Sequence, residues 1–177
     1  MKNLNSDSWE KSQLKLLQEQ IETVFAAVKY PGDKKVVVEM DLDSGLAGQY
    51  FSSKKRRGHT AESLLKFNYA LIVFSPEVFQ YYLPVYLLAV LEDPEAGIDL
   101  HYGIVSVFDP QDKKYRESEE KDYWKKWQKL RVELFSQEQL RALIAYFEYS
   151  LFSFNLEKER AGNRAIAFLS SFLESCH

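Results

Sequence analysis

Tyr69 to Pro94 reads YALIVFSPEVFQYYLPVYLLAVLEDP, and no other stretch limits so sharply what this chain can fold into. It is the most apolar segment of the sequence, interrupted only by Ser75, Glu77, Gln80, Pro76 and Pro84 before its acidic end. A spanning helix needs roughly 20 apolar residues in a row, and the uninterrupted part after Gln80 is shorter than that. The stretch therefore predicts a central core element covered by amphipathic helices, with no membrane partner. Ser75-Pro76-Glu77 is a helix start: Ser at the N-cap, Pro at the first helical position, and a carboxylate where the dipole favours one. Pro84 lies well inside the helix that follows, which predicts a kink or break near Tyr81 to Leu83, resumption to about Leu91 and an end at Glu92-Asp93-Pro94.

The flanks supply the covering helices. Ser6, Asp7 or Ser8 caps a first helix running to about Lys29, with Leu14, Leu17, Ile21, Val24, Phe25 and Val28 at helical spacing. Tyr30-Pro31-Gly32-Asp33 stops it. Val36 to Met40 is β-branched and short and reads as a strand or extended strip. Asp41 to Gly58, with Gly45, Gly48 and the basic run Lys54-Lys55-Arg56-Arg57, is the least ordered-looking segment. Thr60 with Glu62-Ser63 starts a short helix. Ala70–Phe74 and the run from Gly97 to Phe108 read equally as helix or strand, because short apolar runs do not settle their period. Asp109 to Lys121 reads as a solvated connector. Trp124, Trp127, Leu130 and Leu134 mark a further helical face. Ser136 and Gln139 have capping-box spacing ahead of Leu140, Leu143, Ile144 and Phe147. A last helix carries Ala161, Ala165, Phe168, Leu169, Phe172 and Leu173.

Seven Gly and five Pro are too few for the many tight turns of an all-β sandwich. Twelve Phe and eleven Tyr predict a core built on rings. The expected fold is mainly α: a single-domain helical bundle over residues 1–177 with at most a few short strands. A formal charge of -3 gives no electrostatic reason to expect nucleic acid. Cys176 is the only cysteine, which excludes an internal disulfide and a multi-cysteine zinc site. With no secretory-type apolar stretch in MKNLNSDSWEKSQ, the expected location is cytoplasmic.

Several stretches together resemble a family of uncharacterised bacterial proteins of about this size, a domain of unknown function. They are the Pro31-Gly32-Asp33 turn, Phe74-Ser75-Pro76-Glu77-x-Phe79-x-x-Tyr82-Leu83-Pro84 with its neighbours Ala70 and Leu87, and Phe135-Ser136-x-Glu138-Gln139 leading into Phe147. The family has a Trp shortly after a Gly- and Lys-rich turn, where this chain reads Gly58-His59-Thr60. The resemblance implies a compact bacterial intracellular domain and assigns no catalytic residues.

The sharpest enzymatic pattern is Val36-Val37-Val38-Glu39-Met40-Asp41-Leu42-Asp43. An apolar strand ending in Asp-x-Asp resembles the first motif of haloacid-dehalogenase-type phosphohydrolases, with Asp41 as nucleophile, Asp43 as general acid/base and Mg²⁺ between carboxylate and phosphate. Ala70 to Ser75 then stands for the second motif, and Ile104–Asp109 with Asp112 for the acidic one. Ser44-Gly45 departs from that family's usual pair, no clear Lys precedes the acidic pair on a helix start, since Lys113, Lys114 and Lys121 follow it, and Ser75 is already explained as a cap. That enzyme requires parallel strands at 36–40, 70–74 and 104–108. Asp41 and Asp43 do not fit an EF-hand, because Gly45 stands where a ligand is needed. His59, His101 and His177 lack metal-ligand spacing, so no metal and no cofactor is expected. His101 reads as a packing histidine. The Lys54–Arg57 run reads as solvated.

The preferred expectation is a non-enzymatic protein-interaction module of the immunity or adaptor kind. Its binding candidates are Tyr81, Tyr82, Tyr86, Trp124 and Trp127, since aromatic residues with a polar tip are favoured at interfaces. The competing use of the same rings is core packing with each polar tip satisfied at the core edge. The sequence leaves the oligomeric state open.

Overall fold

The computed structural model describes residues 4–33, 36, 42–52, 54–56, 58–112, 119–154, 156 and 159–174, leaving out the side chains of 4–8, 42–44, 94 and 96. Among the described residues the elements are α1 (Leu4–Phe25), α2 (Leu42–Phe51), α3 (Ala61–Lys66), α4 (Ala70–Val73), α5 (Pro76–Glu92), α6 (Pro94–Phe108), α7 (Lys121–Val132), α8 (Gln137–Ser153) and α9 (Arg160–Glu174). The fold is a mainly helical bundle.

The apolar stretch lies at its centre. In α5, Val78, Phe79, Tyr81, Tyr82, Leu83, Pro84, Tyr86, Leu87, Ala89, Val90 and Leu91 are all buried, which is burial on every side rather than along one stripe. α1, α3, α6 and α7 pack against it. Its start is as expected: Ser75 is the N-cap, its side chain accepting from the Val78 N–H, and Pro76 opens the helix. The expected break is absent, since one helix runs through Pro84 to Glu92. A proline removes one helical hydrogen bond and crowds the turn before it. A nearby carbonyl, Tyr81 O, is held from outside by Arg56 Nε at 2.7 Å.

Three antiparallel pairings complete the bundle. α6 folds back along α5, with Phe79 and Phe108 rings 5.8 Å apart at one end and Gly97 against Val90 at the other. A Cβ on Gly97 would lie 2.8 Å from the Val90 Cα, so the helices approach backbone to backbone there. α8 runs against α1, Gln139 reaching the Val24 carbonyl at 3.0 Å. α9 packs on α8 and α6, and Arg164 pairs with Asp109 just past the end of α6.

Several expected boundaries move. α1 spans Leu4–Phe25, so Ser6, Asp7 and Ser8 lie inside it and none caps it. Beyond it come the turn bonds Ala26 N–H to Thr23 O and Val28 N–H to Phe25 O, then Gly32 at a φ of 96°, which glycine tolerates without a Cβ clash. Asp41–Gly58 is not without order: it contains α2, whose Ala47 and Phe51 are fully buried. Ala70–Val73 and 104–108 are both helical. Val36 is buried outside any regular element, and the rest of the expected 36–40 strip lies outside the described residues. On α7 the buried residues are Gln128, Arg131 and Val132, while Leu130 and Leu134 are exposed. Both capping boxes, Thr60 with Ser63 and Ser136 with Gln139, are formed.

The helix C-termini show how the core is closed. Helices often end on a glycine that frees the chain to satisfy its last carbonyls, and this chain has only seven glycines. Long polar side chains from elsewhere serve instead. Arg56 donates to Phe25 O at 2.6 Å and Val28 O at 3.2 Å beyond α1. Tyr82 donates to Phe51 O at 2.9 Å and to Lys54 O at the end of α2. Tyr86 donates to Phe67 O at 3.0 Å after α3. Arg131 holds Ile72 O and Phe74 O around the end of α4. Gln128 holds Val107 O at 2.8 Å in α6.

Candidate functional site

The central tyrosines are structural. Tyr82 and Tyr86 are fully buried and Tyr81 is 7% exposed. Their rings pack in a cluster in which Tyr82 contacts Phe51, Phe74 and Tyr81. Burial raises the pKa of the Tyr82 and Tyr86 hydroxyls, which donate to the carbonyls named above. These three residues therefore present no surface to a partner, and the expectation that they do is corrected: helical apolar periodicity marks burial and does not distinguish the core from an interface. Trp124 and Trp127 are half-buried, with Trp127 stacked on exposed Tyr123 at 5.9 Å and lying near the Arg131 guanidinium.

The phosphohydrolase pattern loses its scaffold. Two of the three runs it needs as parallel strands are helices, and Ser75 is committed to capping α5. Asp109 faces Arg164, with Nε–Oδ1 at 2.8 Å and Nη2–Oδ2 at 2.6 Å. Asp41 and the side chain of Asp43 lie outside the described residues, as do Cys176 and His177. Among the described residues no three His, Cys, Asp or Glu side chains group to hold a metal ion, and no helix is long and apolar enough to cross a membrane.

Two concave features stand out among the described residues. The first is a groove of about 390 Å³ between α1 and α8. Trp9, Gln13, Leu16 and Gln20 line one wall, and Ala145, Glu148, Tyr149 and Phe152 the other. Both sets fall at steps of three and four, so each is one helical face. Trp9 is 59% exposed, Leu16 59% and Phe152 52%. Single exposed apolar residues are ordinary; three large ones along one groove are a patch. Leu14, Leu17 and Ile21 are the inward-facing partners that made this helix legible as amphipathic. The missed signal was the second stripe at Trp9 and Leu16, seven residues apart.

The second feature is a cleft of about 610 Å³ between the end of α1, the later half of α5 and the segment leading into α3. Its α5 wall is Pro84, Val85, Leu88 and Ala89, and the exposed Glu22 and Glu92 line the cleft. Arg56 and His59 also line it. His59 Nε2 lies 3.0 Å from the Lys55 carbonyl and Nδ1 3.2 Å from the Tyr50 hydroxyl. A carbonyl only accepts, so Nε2 carries a proton, and in the neutral ring Nδ1 accepts from Tyr50. Burial lowers the His59 pKa, opposed by the bond to the Lys55 carbonyl and aided by the nearby Lys54 charge, which favours the neutral ring. The basic run is thus not simply solvated: Arg56 folds inward over the Tyr81 ring at 4.3 Å, and Lys54 sits over Tyr50 at 3.6 Å. Arg57 lies outside the described residues.

His101 is fully buried against Tyr146, Phe147 and Phe154, with Nδ1 3.3 Å from the Tyr146 hydroxyl. Burial pulls its pKa down to about 4 against the opposing pull of Glu159. Its place among packed rings is that of a core residue. No family model, no curated protein and no solved structure matches the chain.

Proposed function

We propose that this chain is a protein-interaction module, of the immunity or adaptor kind, that takes an amphipathic helix of another protein into the α1–α8 groove. The observation that supports this reading is the groove's lining: two helical stripes facing one another, with Trp9, Leu16 and Phe152 more than half exposed. A helix laid between two helices anchors through apolar residues at i, i+3 or i+4 and i+7, the spacing both walls already have. Trp supplies the type of large, rigid ring that concentrates binding energy. Glu148 is the one charged group among the described lining residues, and it favours a basic residue beside the partner's apolar stripe.

The test is crosslinking from inside the groove. A photoreactive phenylalanine analogue placed at Phe152 is expressed in the source cells and irradiated, and the captured protein is purified. Its affinity for the unmodified chain is then compared with that for Leu16→Glu. The reading requires a captured protein whose capture segment is helical and whose binding is lost in Leu16→Glu. A partner that binds Leu16→Glu and the unmodified chain alike would overturn it, as would capture of a second copy of this chain alone.

A further inference from the structure

We infer that the cleft between α1, α5 and the entry to α3 is a second, separate binding site for a small organic cation with an apolar body, such as an arylalkylammonium ion. Its volume of about 610 Å³ lies within the range of small-molecule sites, roughly 300 to 1,000 Å³. One wall is a continuous apolar face of α5: Pro84, Val85, Leu88 and Ala89 recur at i, i+1, i+4 and i+5. Val85 and Leu88 are half-exposed, so this face is not closed by the bundle's own packing.

The charge of the site is decided by which ionisable groups are already used. Read from residue types alone, Arg56 and His59 favour an anion. Arg56, however, spends three donors on Phe25 O, Val28 O and Tyr81 O, and its charge offsets the negative carbonyl end of α1. His59 is neutral in its hydrogen-bonded state, with both ring nitrogens engaged. Among the described lining residues the other charged groups are Glu22 near the end of α1 and Glu92 at the last turn of α5, both exposed carboxylates. Glu92 is also the residue at which α5 presents its negative end. An ammonium group placed between them is attracted by both. A carboxylate at the same place is repelled by both, and the Arg56 guanidinium, which keeps its charge, is turned to the carbonyls of Phe25, Val28 and Tyr81.

Three probes of one shape decide this: 4-phenylbutylammonium, 4-phenylbutanol and 4-phenylbutyrate. Binding is followed by titration calorimetry and by amide shifts of α5 in ¹⁵N-labelled protein. The ammonium is expected to bind tightest, with the butyrate weaker by about tenfold or more. Glu22→Gln combined with Glu92→Gln is expected to bring the ammonium down to the alcohol, a loss of about tenfold, while alcohol binding stays as it was. Both glutamates are exposed, so the double variant folds, and its melting curve confirms that independently. Leu88→Ala is expected to weaken all three probes. The inference is overturned if the butyrate binds as well as the ammonium, or if the double variant keeps full ammonium affinity. It is equally overturned if none of the probes shifts the α5 amides at about 10 mM, a concentration that saturates even millimolar sites.

Discussion

Arg164 on α9 grips Asp109, just past the end of α6, with two nearly parallel hydrogen bonds, Nε to Oδ1 at 2.8 Å and Nη2 to Oδ2 at 2.6 Å. The carboxylate is 5% exposed and the guanidinium 31%, so the pair sits at the edge of the core. Asp109 Oδ1 also accepts from the Gln111 N–H at 3.0 Å, which shapes the start of the following connector. The bond to Asp109 raises the Arg164 pKa, so the cation persists throughout the range of protein stability. Arg164→Met removes both guanidinium hydrogen bonds from a carboxylate that is 5% exposed and is expected to destabilise the fold by about 3 kcal/mol. Asp109→Asn removes the charge but keeps hydrogen-bonding capacity and is expected to cost about 1 kcal/mol. Urea unfolding of the two variants measures both, and equal losses would show that the pairing is not the main contribution.

Arg56 joins two elements through main-chain carbonyls, which makes its shape as important as its charge. A lysine offers a single ammonium and cannot reach Phe25 O, Val28 O and Tyr81 O in one geometry. Arg56→Lys is therefore expected to cost about 2 kcal/mol. Hydrogen exchange should quicken first in the last turn of α1. An Arg56→Lys variant as stable as the parent would show that water replaces the guanidinium at these carbonyls.

Two glycines should respond in opposite directions to alanine. At Gly97 the new Cβ would lie 2.8 Å from the Val90 Cα, a backbone atom that cannot turn aside. Gly97→Ala is expected to lose about 2 kcal/mol as α5 and α6 are pushed apart. At Gly45, inside α2, the Cβ meets nothing within 4 Å. Gly45→Ala is expected to gain about 0.5 to 1 kcal/mol from helix propensity. Thermal melts of the two variants side by side suffice.

Buried His101 predicts a pH dependence of stability. Its folded pKa, about 4, lies below the ordinary 6.5, so the unfolded chain binds the proton more readily between those values. Stability therefore rises with pH through this window and falls as the pH is lowered. Between pH 7 and pH 5 the loss from this residue should reach about 2 kcal/mol. His101→Leu should flatten that part of the profile in urea unfolding at the two pH values. An unchanged slope would place the titrating group elsewhere.

Three helix starts were legible because their causes are local. Ser75, Thr60 and Ser136 each cap a helix whose first turn lies within three or four residues, so the reading of these positions matches the structure. The stripe Leu17, Ile21 and Phe25 was legible for the same reason. The roles of Tyr82 and Tyr86 were not. A buried ring with a satisfied hydroxyl and an exposed interface ring have the same spacing along a helix, and only the neighbouring chain distinguishes them. Ile104–Phe108 was ambiguous because four apolar residues around Ser106 fit either period, and packing along α5 selects the helix.

By itself, the sequence determined that Tyr69–Pro94 is the buried centre of a mainly helical bundle, because apolar burial and N-terminal capping act over one or two turns. The tertiary structure decided how the helices end and where the open surfaces lie. Arg56 reaches Phe25 across 31 positions and Gln139 reaches Val24 across 115. No local pattern encodes such pairs, because a carbonyl at a helix end accepts from any donor that the folded chain brings within about 3 Å. The same holds for the two concave sites, whose walls are separate helices set side by side only when the core is packed.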